Sequence, residues 1–363
     1  MSKQFYSLDE IKKIDADINM IYGKKGNGKS SALYEECIRN YIENGYESVW
    51  MRRYQDDFRG NRGKNFFSDL VARGVVSKLT NKKWNNVVYY QSAWYLAKTD
   101  KQGKTVKDSN AFCWAYAMSA YEHMNGVQFP NVNLLVFDEF LTQDELNDEV
   151  TLFFKCYSNV RRSKQNFKCY MLGNTVTYFS SYWIQMMIDG VRNQKKNTID
   201  VYEHKYFDKT VKIACEFCGL DEDEEVDESE VVIKVFEKKN SKLAMITGGD
   251  VEMAEYTQPP EHTKWDIKYR CYLVYYEYIY AIDLIKDKNK DIYLFVHPHT
   301  SEIPERAIIY SIETLASRYY KRNILLADND VEKLMADLIR HHKIFYADNI
   351  CGNVFNSYLK NCN

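Results

Sequence analysis

Eight residues near the start of the chain, Gly23-Lys24-Lys25-Gly26-Asn27-Gly28-Lys29-Ser30, fit the pattern G-x-x-x-x-G-K-[ST] in full. The chemistry of that pattern is phosphate binding. Glycines let the backbone curl so that successive N–H groups face a phosphate, and the dipole of a helix starting near Lys29 adds positive potential. On this reading Gly23 to Ser31 cradle the phosphates of ATP, Lys29 bridges the β- and γ-phosphates, and Ser30 holds Mg²⁺.

About 110 residues further on, Asn133-Leu134-Leu135-Val136-Phe137 leads into Asp138-Glu139-Phe140. A central parallel strand has such an apolar run, and ligands bind at the C-terminal edge of such sheets. Asp138 is expected to hold Mg²⁺ through its water shell, and Glu139 to orient or deprotonate the water that attacks the γ-phosphate. A second edge of this kind ends in Leu172-Gly173-Asn174, where Asn174 could sense the γ-phosphate or position the water; Gly-Asn is also an ordinary turn pair. Between the two edges lies Val160-Arg161-Arg162-Ser163-Lys164. Arg161 or Arg162 is a candidate for an arginine that reaches the γ-phosphate of a neighbouring subunit, and each could instead be a surface or DNA-contacting side chain.

Such groups act only if the fold brings them together. Apolar runs over 18–22, 48–51, 86–90, 134–137, 168–172 and 198–202 alternate with helix-like segments, which predicts an α/β domain. The clearest helix follows the phosphate loop: Ala32, Leu33, Cys37, Ile38, Tyr41 and Ile42 recur at helical spacing until Asn44-Gly45 stops them.

The chain of 363 residues is long enough for two or three domains. With 45% hydrophobic and 28% charged residues and no long uncharged apolar run, neither a membrane span nor wholesale disorder is expected. The N-terminus lacks an apolar signal core, so the nine Cys are read as reduced thiols of a cytosolic protein. The net charge of −2 conceals a segregation: residues 1–205 carry 29 Lys/Arg against 23 Asp/Glu, whereas Asp221 to Glu230 holds eight carboxylates and no base. Self-repulsion in that acidic run predicts a solvated segment. We therefore place a phosphate-binding α/β domain at 1–205, a linker at 206–230 (acidic over 219–230) and a smaller α+β domain at 231–363. In the last, strands are expected at 231–236, 243–247, 269–284 and 292–296, with a charged turn at 287–291 and helices around 304–322 and 330–346.

In order and spacing, the loop at 23–30, the strand ending Phe137-Asp138-Glu139-Phe140, the basic Val160-Arg161-Arg162 and the Leu172-Gly173-Asn174 edge resemble the φ29-like bacteriophage DNA-packaging ATPases. Those are relatives of terminase large subunits, within the additional-strand, catalytic-glutamate (ASCE), RecA-like branch of P-loop NTPases. The resemblance implies an ATP- and Mg²⁺-dependent motor, a homo-oligomeric, pentameric ring with a trans arginine finger. Such a ring pumps double-stranded DNA through the portal (connector) of a preformed capsid. It further implies a structural packaging RNA as a partner, no membrane, and a place in the host cytoplasm, at the portal vertex of the procapsid but not in the mature virion. For the second domain it implies an RNase H-like fold with nuclease activity lost. Asp283 could place one carboxylate on a strand there, but Asp287, Asp291, Glu313 and Asp337 form no recognisable two-metal set.

Other features are less specific. Arg52-Arg53, at the end of the second strand, could face the nucleotide or the DNA channel, or belong to a solvated loop. Residues 97–107 lack a core pattern and read as a flexible loop whose Lys98, Lys101, Lys104 and Lys107 could grip a phosphate backbone. Cys215-Glu216-Phe217-Cys218 has the spacing of half a zinc site without a second pair. A helicase, a nucleotide kinase and a nucleotide-gated assembly or secretion ATPase would use the same phosphate loop and stand as alternatives.

Overall fold

The computed structural model describes residues 6–219, apart from 24, 125, 143–144, 147, 163, 165, 175–179, 189 and 192–193, together with 256–260, 265–360 and 362, apart from 277 and 288. The acidic run 220–230 and the strands expected at 231–236 and 243–247 lie outside the described residues. The chain divides into two compact units, Met1–Glu252 and Met253–Asn363.

The first unit is built on a ten-stranded sheet. Its strands are β1 (Ile18–Gly23), β2 (Glu47–Arg52), β3 (Asn86–Tyr90), β4 (Ala93–Thr99), β5 (Thr105–Lys107), β6 (Cys113–Ala117), β7 (Val132–Asp138), β8 (Lys168–Asn174), β9 (Thr198–Tyr206) and β10 (Lys209–Cys218). Their order is β3-β4-β6-β2-β7-β8-β1-β10-β9, with β5 paired to β4. From β6 to β10 all neighbours run parallel, and β4 and β9 close the parallel block antiparallel. Parallel strands are covered on both faces, which is why β1 and β7 read as apolar runs. Met20, Tyr22, Leu135, Phe137 and Met171 pack on one face beneath the helix Glu149–Arg161. Ile21, Trp50, Val136 and Leu172 pack on the other, with Leu33, Cys37 and Ile38 of the helix Lys29–Asn44. That helix ends at Gly45, whose φ of 73° suits a left-handed C-cap. No helix among the described residues is long and apolar enough to cross a membrane.

Two expectations for this unit change. The sheet does not stop at 205: β10 pairs with β1 from Ile18↔Ile213 to Gly23↔Cys218, so residues 209–218 are an interior strand, not part of a linker. Its sequence KTVKIACEFC is apolar only in its second half, because the first half extends past the start of β1. The segment 97–107 is a β-hairpin, not a flexible loop: β4 runs to Thr99 and returns as β5 around Gly103.

The second unit has a six-stranded sheet of β11 (Asp266–Tyr275), β12 (Tyr278–Lys286), β13 (Ile292–Pro298), β14 (Ile309–Tyr310), β15 (Tyr320–Lys321) and β16 (Ile344–Tyr346) in the order β15-β14-β11-β12-β13-β16. β11, β12 and β13 form an antiparallel meander, while β14 and β15 add in parallel beyond β11. The helices Asp330–Arg340 and Asn349–Lys360 follow. The run read as one strand from 269 to 284 is two, folded back at Tyr276, whose φ is 53°. Such turns ordinarily carry Asn or Gly, so a turn at Tyr276 leaves no sequence signal. No helix forms over 304–322, because Ile309 and Ser311 donate instead to the carbonyls of Tyr319 and Lys321.

Candidate functional site

The loop after β1 turns on three glycines with positive φ: Gly23 (149°), Gly26 (84°) and Gly28 (94°). Gly28 caps the helix Lys29–Asn44, and Lys24 lies outside the described residues. The Lys29 ammonium is buried under the loop, with Nζ 3.1 Å from both Gly23 O and Asn27 Oδ1. Burial lowers its pKa from the usual lysine value, and Cys218 and Asp138 partly oppose that shift. A cleft of about 390 Å³ opens over the loop, and Ser30, Ser31, Asp138, Glu139, Gly173 and Asn174 share its lining with Lys25 to Lys29.

Strand direction explains the meeting. β1, β7 and β8 are parallel neighbours, so Gly23, Asp138 and Asn174 all fall on one sheet edge, with Gly23 directly opposite Asn174. The Asp138 side chain is 5% exposed and its Oδ2 accepts from Trp50 Nε1 at 3.3 Å and from Arg52 Nε and Nη2 at 3.1 and 2.6 Å. Glu139, with 58% of its side chain exposed, faces the cleft and lies 3.6 Å from Arg52 Nη2. A hydroxyl and a carboxylate, Ser30 and Asp138, on one cleft fit the sparse protein ligation that Mg²⁺ takes beside phosphate oxygens and water.

Arg161 and Arg162 are not in this cleft. The helix Glu149–Arg161 connects parallel β7 to β8, so it starts at the phosphate edge and ends at the opposite one. There Arg162 donates to Val127 O at 3.4 Å, and Arg161 sits 5.8 Å from the Tyr157 ring centroid. Two other arginines take part in the same-chain site. Arg52 was only a weak signal in the sequence, and Arg73, whose Nη2 is 2.6 Å from Ser31 Oγ and 2.9 Å from Asp69, had none. A second cavity of about 340 Å³ lies beyond Asn27, lined by Tyr6, Asn197, Glu216 and Gly219. Tyr6 closes it, donating from its amide to Asn27 O at 3.1 Å and from its hydroxyl to Glu216 Oε2 at 2.5 Å.

Among the four candidate lysines, Lys98 donates to Lys82 O at 2.8 Å and Lys107 lies 3.7 Å from the Tyr95 ring centroid, while Lys101 and Lys104 occupy the exposed turn between β4 and β5. Cys215 and Cys218 belong to the cores on opposite faces of the sheet, so they do not form half of a metal site. In the second unit Asp283 is buried and bound by Arg270 through two bonds of 2.5 and 2.6 Å and by His297 at 3.1 Å. No group of three or more metal-binding side chains occurs among the described residues.

Residues 1–214 match the podovirus DNA encapsidation protein (Gp16) family. The chain belongs to this family. It is 23% identical over 200 residues to the DNA packaging protein of Bacillus phage phi29, a match covering 54% of each chain, and 23% identical over 194 residues to that of Bacillus phage B103. The matched part thus spans about half the length of these curated relatives. The fold is similar over 99% of both chains to a protein in the bacteriophage Phi-29 viral genome packaging motor assembly (TM-score 0.59, 18% identity). It is also similar to the Phi-28 gp11 DNA packaging motor (TM-score 0.57, 15% identity, 99% of both chains).

Proposed function

We propose that this encapsidation protein is an ATP-hydrolysing motor that moves double-stranded viral DNA through the portal vertex into a preformed capsid. The observation that carries this reading is the convergence of the phosphate loop, Asp138, Glu139 and Asn174 on one cleft in a member of that family. The cavity beside Tyr6 and Asn197 would take the base. Lys29 neutralises charge on the β- and γ-phosphates, and Ser30 and Asp138 would hold a Mg²⁺ that would offset charge on the transferred phosphoryl group. Glu139 accepts a proton from water as its oxygen attacks the γ-phosphorus, Asn174 orients that water, and ADP and phosphate leave. Arg161 or Arg162 comes from the neighbouring subunit of a ring, a pentamer in our reading, and Lys101 and Lys104 are the lysines best placed to touch DNA.

The first unit would be the motor, now including β10. For the second we propose an RNase H-like fold without nuclease activity. The meander β11-β12-β13 with β14 and β15 added in parallel beyond β11 supports that fold, and the Arg270–Asp283 pair supports the loss of activity, since the carboxylate is already neutralised. A packaging RNA and the portal are the further partners of this reading, and its place is the procapsid vertex in the host cytoplasm. Packaging in vitro with purified procapsids tests it: nuclease-protected DNA should appear with the natural chain and vanish with Lys29→Ala and Glu139→Gln. Intact hydrolysis without any protected DNA would refute the motor.

A further inference from the structure

Arg53 follows Arg52 by one residue, so its side chain leaves the other face of the sheet. Its side chain is only 7% exposed. Nε and Nη2 donate to the two carboxylate oxygens of Glu149 at 2.8 and 2.6 Å, Nη2 also donates to Phe140 O at 2.8 Å, and Nη1 donates to Glu139 O. Glu149, the first residue of its helix, has no exposed side-chain surface and also accepts from Leu146 N at 2.6 Å and from the Tyr182 hydroxyl at 2.9 Å.

What this cluster holds is unusual backbone. Glu139 has φ of 63°, a left-handed conformation that a residue with a long side chain persists in only where its surroundings over-determine it. On one side the turn is fixed by Phe140 N, which donates to Leu172 O of β8 at 2.9 Å. On the other, the two carbonyls released from the strand at 139 and 140 converge on Arg53. A left-handed residue right after Asp138 ends the strand and swings the next side chain out, which is how Glu139 comes to line the cleft while Asp138 stays buried.

We propose that Arg53 is a positioning residue for water activation: by tying the carbonyls of Glu139 and Phe140 to the buried Glu149 carboxylate, it fixes the turn that aims Glu139 at the phosphates. This rests on the reading of Glu139 as the group that activates water. A planar guanidinium can serve two carbonyls and a carboxylate at once, whereas an ammonium, a single point charge, cannot match that fork. The ion pair alone could be exchanged for apolar side chains at little cost. The exchange would, however, strip Leu146 N, the Tyr182 hydroxyl and the two carbonyls of their partners.

The test is hydrolysis by the full chain, with kcat and KM measured separately, alongside binding of a fluorescent ADP analogue and thermal melting. Arg53→Lys keeps the charge, and the double substitution Arg53→Met with Glu149→Met keeps the volume and leaves no buried charge. Arg53→Lys should melt near the natural chain and the double variant lower, because buried groups lose their partners, but well below its melting point each should bind the analogue within about threefold, while kcat falls by about tenfold or more, as a misplacement near 1 Å can produce. A wild-type kcat in either variant overturns the proposal. So does a loss of analogue affinity as large as the loss of kcat, because that marks a distorted cleft and not a misaimed side chain. Glu139→Gln separates the two levels. If it is inactive while the Arg53 variants turn over normally, only the positioning role falls; if it hydrolyses at the natural rate, the assignment of Glu139 fails and this inference with it.

Discussion

Arg52 donates to a single oxygen of Asp138, Oδ2, through both Nε and Nη2, at 3.1 and 2.6 Å. Burial works against the guanidinium charge, and Asp138 and Glu139 more than offset it, so the Arg52 pKa stands above the ordinary arginine value. A fixed cation therefore occupies one side of the carboxylate that would face the water shell of Mg²⁺. Two cations near one carboxylate repel, and a few ångströms apart in a partly buried site that repulsion amounts to a few kcal/mol. Arg52→Gln should lower the Mg²⁺ concentration for half-maximal hydrolysis by about tenfold, after part of the relief is lost to rearrangement. An unchanged Mg²⁺ titration would show that Arg52 leaves Asp138 without penalty when the nucleotide binds.

The glycines of the phosphate loop are required for different reasons. A Cβ on Gly23 would lie 1.9 Å from Cys218 O, a backbone atom held in register with Gly23 by the β1–β10 ladder. A Cβ on Gly26 meets nothing within 4 Å, leaving only the strain of its φ of 84°. Gly26→Ala should therefore cost about 1–2 kcal/mol. Gly23→Ala should cost about 2–3 kcal/mol or more and spoil nucleotide binding as well, because the loop or β10 must shift. Paired chemical denaturation and nucleotide titrations of the two variants check the order.

Much of this site was legible before the fold was known. The G-x-x-x-x-G-K-S spacing and an apolar run ending in Asp138-Glu139 need only a parallel sheet to meet, and β1, β7 and β8 supply one. The roles of Arg52 and Arg53 were not legible, since adjacency in sequence says nothing of the alternation that sends one to the cleft and the other to the opposite core. Arg73 was invisible because its helix-rich segment carries no motif. β10 was missed where its lysine-rich first half overhangs β1, and the turn at Tyr276 where tertiary pairing overrides the absence of a turn residue.

Lys29 yields a prediction about pH and stability. Burial depresses its pKa in the folded chain, so the unfolded chain binds the proton more tightly and the Lys29 charge opposes folding while it persists. Its contribution to stability therefore rises with pH between the depressed value and the usual lysine value near 10.5. Lys29→Met should raise the melting temperature of the nucleotide-free protein at neutral pH while abolishing nucleotide binding. In the natural chain nucleotide affinity should begin to fall below pH 10.5 as the ammonium is lost, with proton uptake on binding measurable by calorimetry in buffers of different ionisation enthalpy.

Asp283 has the opposite sign. Burial alone would raise its pKa, but the bonds from Arg270 and His297 outweigh that and hold it below the usual carboxylate value. The stabilisation is present above the unfolded pKa, near 3.9, and is lost as pH falls through the lower folded value. Asp283→Asn should cost on the order of 1–3 kcal/mol at neutral pH, with a difference from the natural chain that shrinks below about pH 4. If Asp283 were instead a metal ligand of a working nuclease, Mn²⁺ would raise the melting temperature of the natural chain and not that of the variant; no such difference is expected.

The placement of Arg161 and Arg162 gives the sharpest test of a ring. Both lie at the sheet edge away from the phosphate loop, so neither can reach a nucleotide bound in its own chain without refolding the helix Glu149–Arg161. An arginine acting on a transferred phosphoryl group is worth on the order of 10³-fold or more in rate. Arg161→Ala or Arg162→Ala, whichever removes the finger, should therefore be as inactive as Glu139→Gln. Mixing the two kinds of subunit creates interfaces in which an intact Glu139 from the arginine variant faces an intact arginine from the other. Hydrolysis should then return, in proportion to the fraction of such interfaces. An arginine required within its own chain would give no recovery at any ratio, and an arginine that only contacts DNA would leave basal hydrolysis untouched in the single variant.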